Sequence, residues 1–188
     1  ATEDFPDTTS GDVDYYVDNG NDVLAIAANI VSNRTGFARA SRTFDGVSGS
    51  YDVTITTMTE YDGESTYRLL VNGTQVATYQ NPFVLDPANN SPLDLQPHTH
   101  TWSGINIPNG ATLAVESNAD SNDQVSEAGD GNPPWAWARG RWSQIELTSS
   151  HSLVRPPAGR LASVADGNSP DPADIGATAV IFGILNRS

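Results

Sequence analysis

Apolar and polar residues alternate along much of the chain. Tyr51, Val53 and Ile55 fall on one face of an extended run, with Asp52, Thr54 and Thr56 on the other. Tyr67, Leu69 and Val71 alternate in the same way with Arg68 and Asn72. A period of two, carried by β-branched and aromatic residues, marks half-buried antiparallel strands. Asn72-Gly73 supplies the positive φ angles of a type I′ turn, so Thr74 to Tyr79 is expected to return beside Arg68 to Val71. Further alternating runs are Phe37 to Phe44, His98 to Trp102, Ala111 to Glu116 and Gln144 to Thr148. Val23 to Val31, VLAIAANIV, fits a buried strand or a short helix by pattern alone. Strand is the reading adopted, because alternation resumes after Gly36. The expected core is Tyr51, Val53, Ile55, Leu69, Val71, Leu113, Val115, Ile145 and Leu147.

Between these runs the chain is built for loops. Asn81 to Pro97 carries Pro82, Pro87, Pro92 and Pro97, which forbid a long helix or a central strand. Asn118 to Pro134 is acidic and broken by Gly and Pro. From Ser149 the composition turns linker-like, with Pro156-Pro157, Pro170 and Pro172, yet it ends in the apolar run Ala177 to Leu185. Apolar on both faces, that run reads as a buried strand, added to a sheet edge of its own domain or of a second copy. Together these features predict an all-β fold: an antiparallel, jelly-roll-like β-sandwich over residues 1–150 with a C-terminal extension over 151–188.

Charge narrows the function. The 188 residues carry a formal charge of −14, which argues against nucleic acid and against anionic membranes. All 9 basic residues are Arg, and there is no Cys, so disulfides, thiolate metal sites and a cysteine nucleophile are excluded. No apolar run has membrane length. A chain starting Ala1-Thr2-Glu3 without Met fits a secreted, extracellular protein whose leader has been removed. Asp12, Asp14, Asp18 and Asp22 space like the first half of a calcium loop, but the closing Gly and Glu of an EF-hand are missing.

Three groups of residues could carry chemistry. Trp135, Trp137 and Trp142 fall within eight residues of one another, together with Arg139 and Arg141. Indole faces stack on the apolar faces of sugar rings, and guanidinium offers planar, multidentate donors. The competing reading makes Trp142 core and uses another Trp to close the sandwich. In an extended run Trp135, Trp137, Arg139 and Arg141 share a face. Glu60-Tyr61-Asp62-Gly63-Glu64 gathers three carboxylates, read first as a solvated turn and second as a ligand contact through Tyr61 and Asp62. A glycosidase acid–base pair needs a separation that a tight turn does not establish. His98 and His100 share a strand face, as a hydrogen-bonded pair or as two ligands of a metal. Phosphate loops, nucleophile elbows and HExxH are absent.

The run TEYDGESTYRLLVNG, with Thr99-His100-Thr101-Trp102 and the stretch from Asp130-Gly131 to Arg141-Trp142, resembles an exported module. The similarity is to galactose-binding-like β-sandwiches related to family 6 carbohydrate-binding modules, which accompany bacterial polysaccharide-degrading enzymes. Thr2-Glu3-Asp4-Phe5 and Ile145-Glu146-Leu147-Thr148 match that family's two ends. The resemblance covers residues 1–150. It implies a ligand site in the loop before the last strand, at Trp135 and Trp137. It also implies a structural calcium near Glu3 and Glu146, although Ser143 stands where the family has Asp.

The function expected from these features is non-catalytic binding of an extracellular polysaccharide through loop aromatics and arginine. The alternative is a structural or adhesive subunit of an extracellular assembly, joined to copies of itself through the C-terminal strand.

Overall fold

The computed structural model describes residues 5, 11–26, 35–84, 95–122, 138–150 and 179–183. Ten strands follow in chain order: β1 Tyr15–Asp18, β2 Val23–Ile26, β3 Ala38–Thr43, β4 Gly49–Thr59, β5 Thr66–Val71, β6 Thr74–Gln80, β7 Gln96–Ile107, β8 Thr112–Ser117, β9 Trp142–Ser149 and β10 Ala179–Gly183. They form a β-sandwich of two antiparallel sheets. One sheet runs β1-β2-β9-β4-β7, with β10 also paired to β9, and the other runs β3-β8-β5-β6. Among the described residues there is no helix.

Alternation dictates β4, the central strand of the larger sheet. Tyr51, Val53 and Ile55 point into the core, while Asp52, Thr54 and Thr56 are only half-buried. Every residue of the expected core is buried. Asn72 and Gly73 adopt φ values of 51° and 77°, the type I′ geometry, and β6 returns along β5 from Val71↔Thr74 to Thr66↔Gln80.

Other elements depart from the expected pattern. On β8 alternation fails, because Leu113 to Ser117 are all buried. Ala114 is small, and Glu116 on the outer face is covered by Arg39 at 2.5 Å and Arg68 at 3.7 Å. Val23 to Ile26 is a strand as expected, while 27–31 lies outside the described residues. The C-terminal run supplies β10, which pairs with β9 of its own chain from Ala179↔Thr148 to Gly183↔Gln144. β2 touches the same flank of β9 one step earlier, at Leu24↔Trp142.

Phe5, Leu24, Phe44, Tyr67 and Trp142 fill the space between the sheets. Trp142 takes Phe5 edge-on at 5.2 Å, so the tryptophan that opens β9 is core. Along one side the edge strands β6 and β7 face each other, and the Trp102 indole N–H donates to the Thr78 carbonyl at 3.1 Å.

Candidate functional site at the loop end of the sandwich

Strand direction sorts the connections to two ends. The C-terminal ends of β2, β4, β6 and β8, and the first residues of β5, β7 and β9, meet at one of them. The described residues flanking 27–34, 85–94 and 123–137 therefore stand at this end, together with the turn Glu60–Ser65.

The expectation of a solvated acidic turn fails here. Glu60 is 1% exposed and Asp62 0%, while Tyr61 and Glu64 are half-buried. Glu60 and Gly63 close a bridge across the turn, and the Glu60 carboxylate lies inside the protein. It pairs with the Arg141 guanidinium and accepts the Arg139 backbone N–H at 2.8 Å. Arg141 reaches a second carboxylate, Asp18, at 3.3 Å. Its carbonyl accepts from the Tyr67 hydroxyl at 2.8 Å and from Met58 N–H at 3.0 Å. Two residues earlier in the same path, the Arg139 carbonyl accepts Ile26 N–H at 2.8 Å.

The segment 138–141 is thus bound to β2, β4, β5 and the acidic turn before β9 begins. Space there is tight. A Cβ on Gly63 would collide with Ala138 Cβ and Asp120 O, and one on Gly140 with Asn118 O. Gly140 also has φ +55°, a conformation that a side chain disfavours.

Burial sets the electrostatics. Removal from water pushes the Glu60 carboxyl up to about 7; Arg141 pulls it down, and neighbouring Asp62 pushes it further up. Burial also works against the Arg141 charge, but the Glu60 carboxylate outweighs it and holds the guanidinium above its ordinary value. Around this centre lies a shell of amides. Asn81 takes the Thr57 hydroxyl at 2.8 Å and donates to Met58 O at 2.8 Å. Asn118 accepts Thr66 N–H at 2.8 Å. Asn122 ties Tyr61 O at 3.0 Å to Glu64 at 3.1 Å.

Of the site residues expected from sequence, Trp135 and Trp137 lie outside the described residues, as does Glu3. Arg139 and Arg141 are 5% and 3% exposed; the Arg141 guanidinium pairs with Glu60, while Arg139 gives Glu60 its backbone N–H and donates from its guanidinium to the Ala138 carbonyl at 3.1 Å. Asp62 is buried beside them, and Tyr61 lies at the rim. Glu146 is half-buried in mid-β9, between Thr54 and Ile181. Ser143 directs its hydroxyl to Thr56 O at 3.4 Å. Among the described residues no cluster of three His, Asp or Glu is placed to hold a metal, so they do not by themselves build the calcium site. The amides Asn81, Asn118 and Asn122 were missed. For Asn81 and Asn118 the signal, an Asn just past a strand end without a Gly to make a turn, is visible in the sequence; Asn122, five residues past β8, carries no such signal.

His98 and His100 do share the inner face of β7, but they stack on a third ring instead of hydrogen-bonding to each other. Tyr79 lies parallel to His100 at 4.1 Å and 12°, and to His98 at 5.9 Å and 7°. Burial and the neighbouring His98 both lower the His100 pKa.

No family model matches the chain. It is 32% identical over 146 residues to Uncharacterized protein P23 of Formosa agariphila, and 49% identical over 40 residues to Uncharacterized protein P22 of the same organism. The chain spans 30% of the length of the first relative and 15% of the second. In structure it is similar to a GH2 beta-galacturonidase from Eisenbergiella tayi bound to galacturonate. That match covers 66% of this chain and 25% of the other at 14% identity, with a TM-score of 0.29, too slight a likeness to transfer anything.

Proposed function

We propose that the protein is a secreted, non-catalytic module that binds a neutral extracellular polysaccharide at the loop end of the sandwich, with Trp135 and Trp137 stacking on sugar rings and Tyr61 at the rim. The observation that carries this reading is the immobilisation of 138–141. Glu60, Tyr67, Met58 and Ile26 hold the four residues that directly follow the two tryptophans. A stacking surface needs such a fixed base, because ordering mobile aromatics at the moment of binding subtracts from affinity.

The same observation supports a different part for the charged residues. In this reading the buried Arg139, Arg141 and Asp62 position the loop and do not meet the ligand, the Arg141 guanidinium being held by Glu60 and Asp18. With its arginines engaged there and a formal charge of −14, the chain suits a neutral glycan better than a sulfated or uronic one. The sequence resemblance to carbohydrate-binding β-sandwiches supports the ligand class.

Titration of the chain with a panel of neutral and anionic polysaccharides tests the reading. Saturable binding to a neutral glycan is expected. Trp135→Ala and Trp137→Ala should each weaken it by about 1 kcal/mol, roughly fivefold, with an unchanged melting temperature. Absence of binding to every glycan would refute the reading, and so would a Trp137→Ala variant that binds normally.

A further inference from the structure

β9 meets its neighbours unequally. Along one flank it pairs with β4 from Tyr51↔Ser149 to Thr57↔Trp142. Along the other, among the described residues, β2 reaches it only at Leu24↔Trp142, and β10 pairs with the rest from Ala179↔Thr148 to Gly183↔Gln144. Without β10 the backbone groups of 144–148 on that flank would form an open edge, in a strand whose Ile145 and Leu147 are fully buried. We infer that this flank of β9 is an acceptor for β10 of a second copy of the chain, so that two copies exchange their C-terminal strands.

The connection between the two strands favours exchange. Adjacent antiparallel strands are ordinarily joined by about 2–5 residues. Ala179 lies opposite Thr148, yet residues 150–178 separate it in sequence from Ser149, the last residue of β9. The chain also leaves β9 on the side away from β10. Ser149 is paired with Tyr51, Ser150 N–H donates to Ser50 O at 2.9 Å, and the Ser150 hydroxyl donates to Asp52 at 3.3 Å. All three partners belong to β4, on the opposite flank. No tight hairpin therefore ties β10 to its own β9, and a connection of this length reaches up to about 90 Å.

Energy and charge agree with a second copy as the donor. The strand pairing is the same whichever copy supplies β10, so exchange costs little beyond association itself. A long connection holds the chain's own strand at an effective concentration of about the millimolar range or below. Copies crowded to that level compete with it on equal terms. Two chains of −14 repel one another as bodies, but the exchanged segment, AVIFG, is uncharged. Added salt screens the repulsion and leaves the strand pairing intact. Reciprocal exchange closes into a two-fold dimer. The inference is independent of the glycan reading and uses none of its residues.

Disulfide trapping in the full chain tests it, because the chain has no cysteine of its own. Paired residues of antiparallel strands have Cα atoms about 4.5–5.5 Å apart, within disulfide range. Thr148→Cys and Ala179→Cys are made as separate variants, mixed at about millimolar concentration in about 1 M NaCl, and oxidised. One mixture is made from folded chains and another by refolding the two together from urea. A disulfide-linked dimer of the two variants is expected, at least fivefold above the yield from either variant alone. It should exceed by as much the yield from Ala179→Cys mixed with Val76→Cys, an exposed position on β6 of the other sheet. Should Thr148→Cys fail to fold, Glu146→Cys with Ile181→Cys repeats the test in the same register. A dimer no more abundant than in the controls, in both preparations, would overturn the inference. The chain carrying both cysteines gives a second measure: exchanged copies run at twice the chain mass without reductant. A wholly monomeric product, its disulfide closed within one chain, would overturn the inference as well.

Discussion

The two ends of the sandwich are built from opposite materials. At the turn end, Asn72-Gly73, Phe44–Ser48 and Pro108–Gly110 are joined by neutral, mostly exposed groups. Asn109 N–H donates to Ser48 Oγ at 2.8 Å, the Asn109 amide to Gly46 O at 2.8 Å, and Thr112 N–H to Asn72 Oδ1 at 2.9 Å. Water can replace any of these partners, so each contributes little and each is tolerant of change. At the loop end the ties are ionic and dry, with Glu60 and Arg141 at 1% and 3% side-chain exposure. A buried ion pair gains little over a well-packed apolar pair, yet removing one partner leaves a charge stranded. The loop end is therefore a place where a specific geometry is enforced at little net gain in stability. That is the pattern expected of a surface whose shape matters for something other than folding.

Substitutions can break this contrast. The largest effect is expected at Glu60. Glu60→Ala leaves the buried Arg141 guanidinium with Asp18 as its remaining carboxylate and should lower the unfolding free energy by about 3 kcal/mol, whereas Asn109→Ala at the turn end should remove about 1 kcal/mol. Urea melts of the two variants compare them directly, and equal losses would erase the distinction between the ends.

A proton should produce the next largest effect. The folded protein raises the Glu60 carboxyl from 4.5 to about 7, so it holds that proton more tightly than the unfolded chain does. Stability attributable to Glu60 should then fall as pH rises from about 4.5 to 7, at a limiting slope of about 1.4 kcal/mol per pH unit. Glu60→Gln should flatten that part of the stability–pH curve. A curve that keeps its slope would mean that the pair stays fully ionised throughout.

The smallest effect sharpens the comparison by holding the backbone fixed. Gly140 and Gly110 both have positive φ, +55° and +77°, but a Cβ at Gly110 meets nothing within 4 Å, whereas at Gly140 it meets Ser117 Oγ at 2.9 Å and the Asn118 backbone. Gly110→Ala should cost about 1–2 kcal/mol from conformation alone. Gly140→Ala should exceed it by about 1 kcal/mol or more, because Asn118 must move as well. Melting temperatures of the two variants measure the difference.

Local pattern made the strands legible. β4, β5 and β6 could be read because a period of two and an Asn-Gly turn act within a few residues of one another, and those signals do not wait on the rest of the fold. The site was legible only in outline. The Glu60–Glu64 turn and the Trp135–Trp142 run were both singled out, but as separate surface features. The acidic turn read as solvated because a carboxylate triplet ordinarily is; Glu60 is buried because Arg141, 81 positions away in the chain, meets it.

Alternation and turn chemistry were thus sufficient to determine an all-β antiparallel chain and most of its core, since each depends on neighbours close in sequence. Tertiary structure decided which charges went inside, which face of β8 was covered by Arg39 and Arg68, and that two histidines would share one tyrosine. Each of these depends on strands such as β6 and β7, or β4 and β9, that meet only when two sheets close on each other. The strength of an ion pair or a ring stack depends on distance and on the exclusion of water, and neither exists until the sandwich has formed.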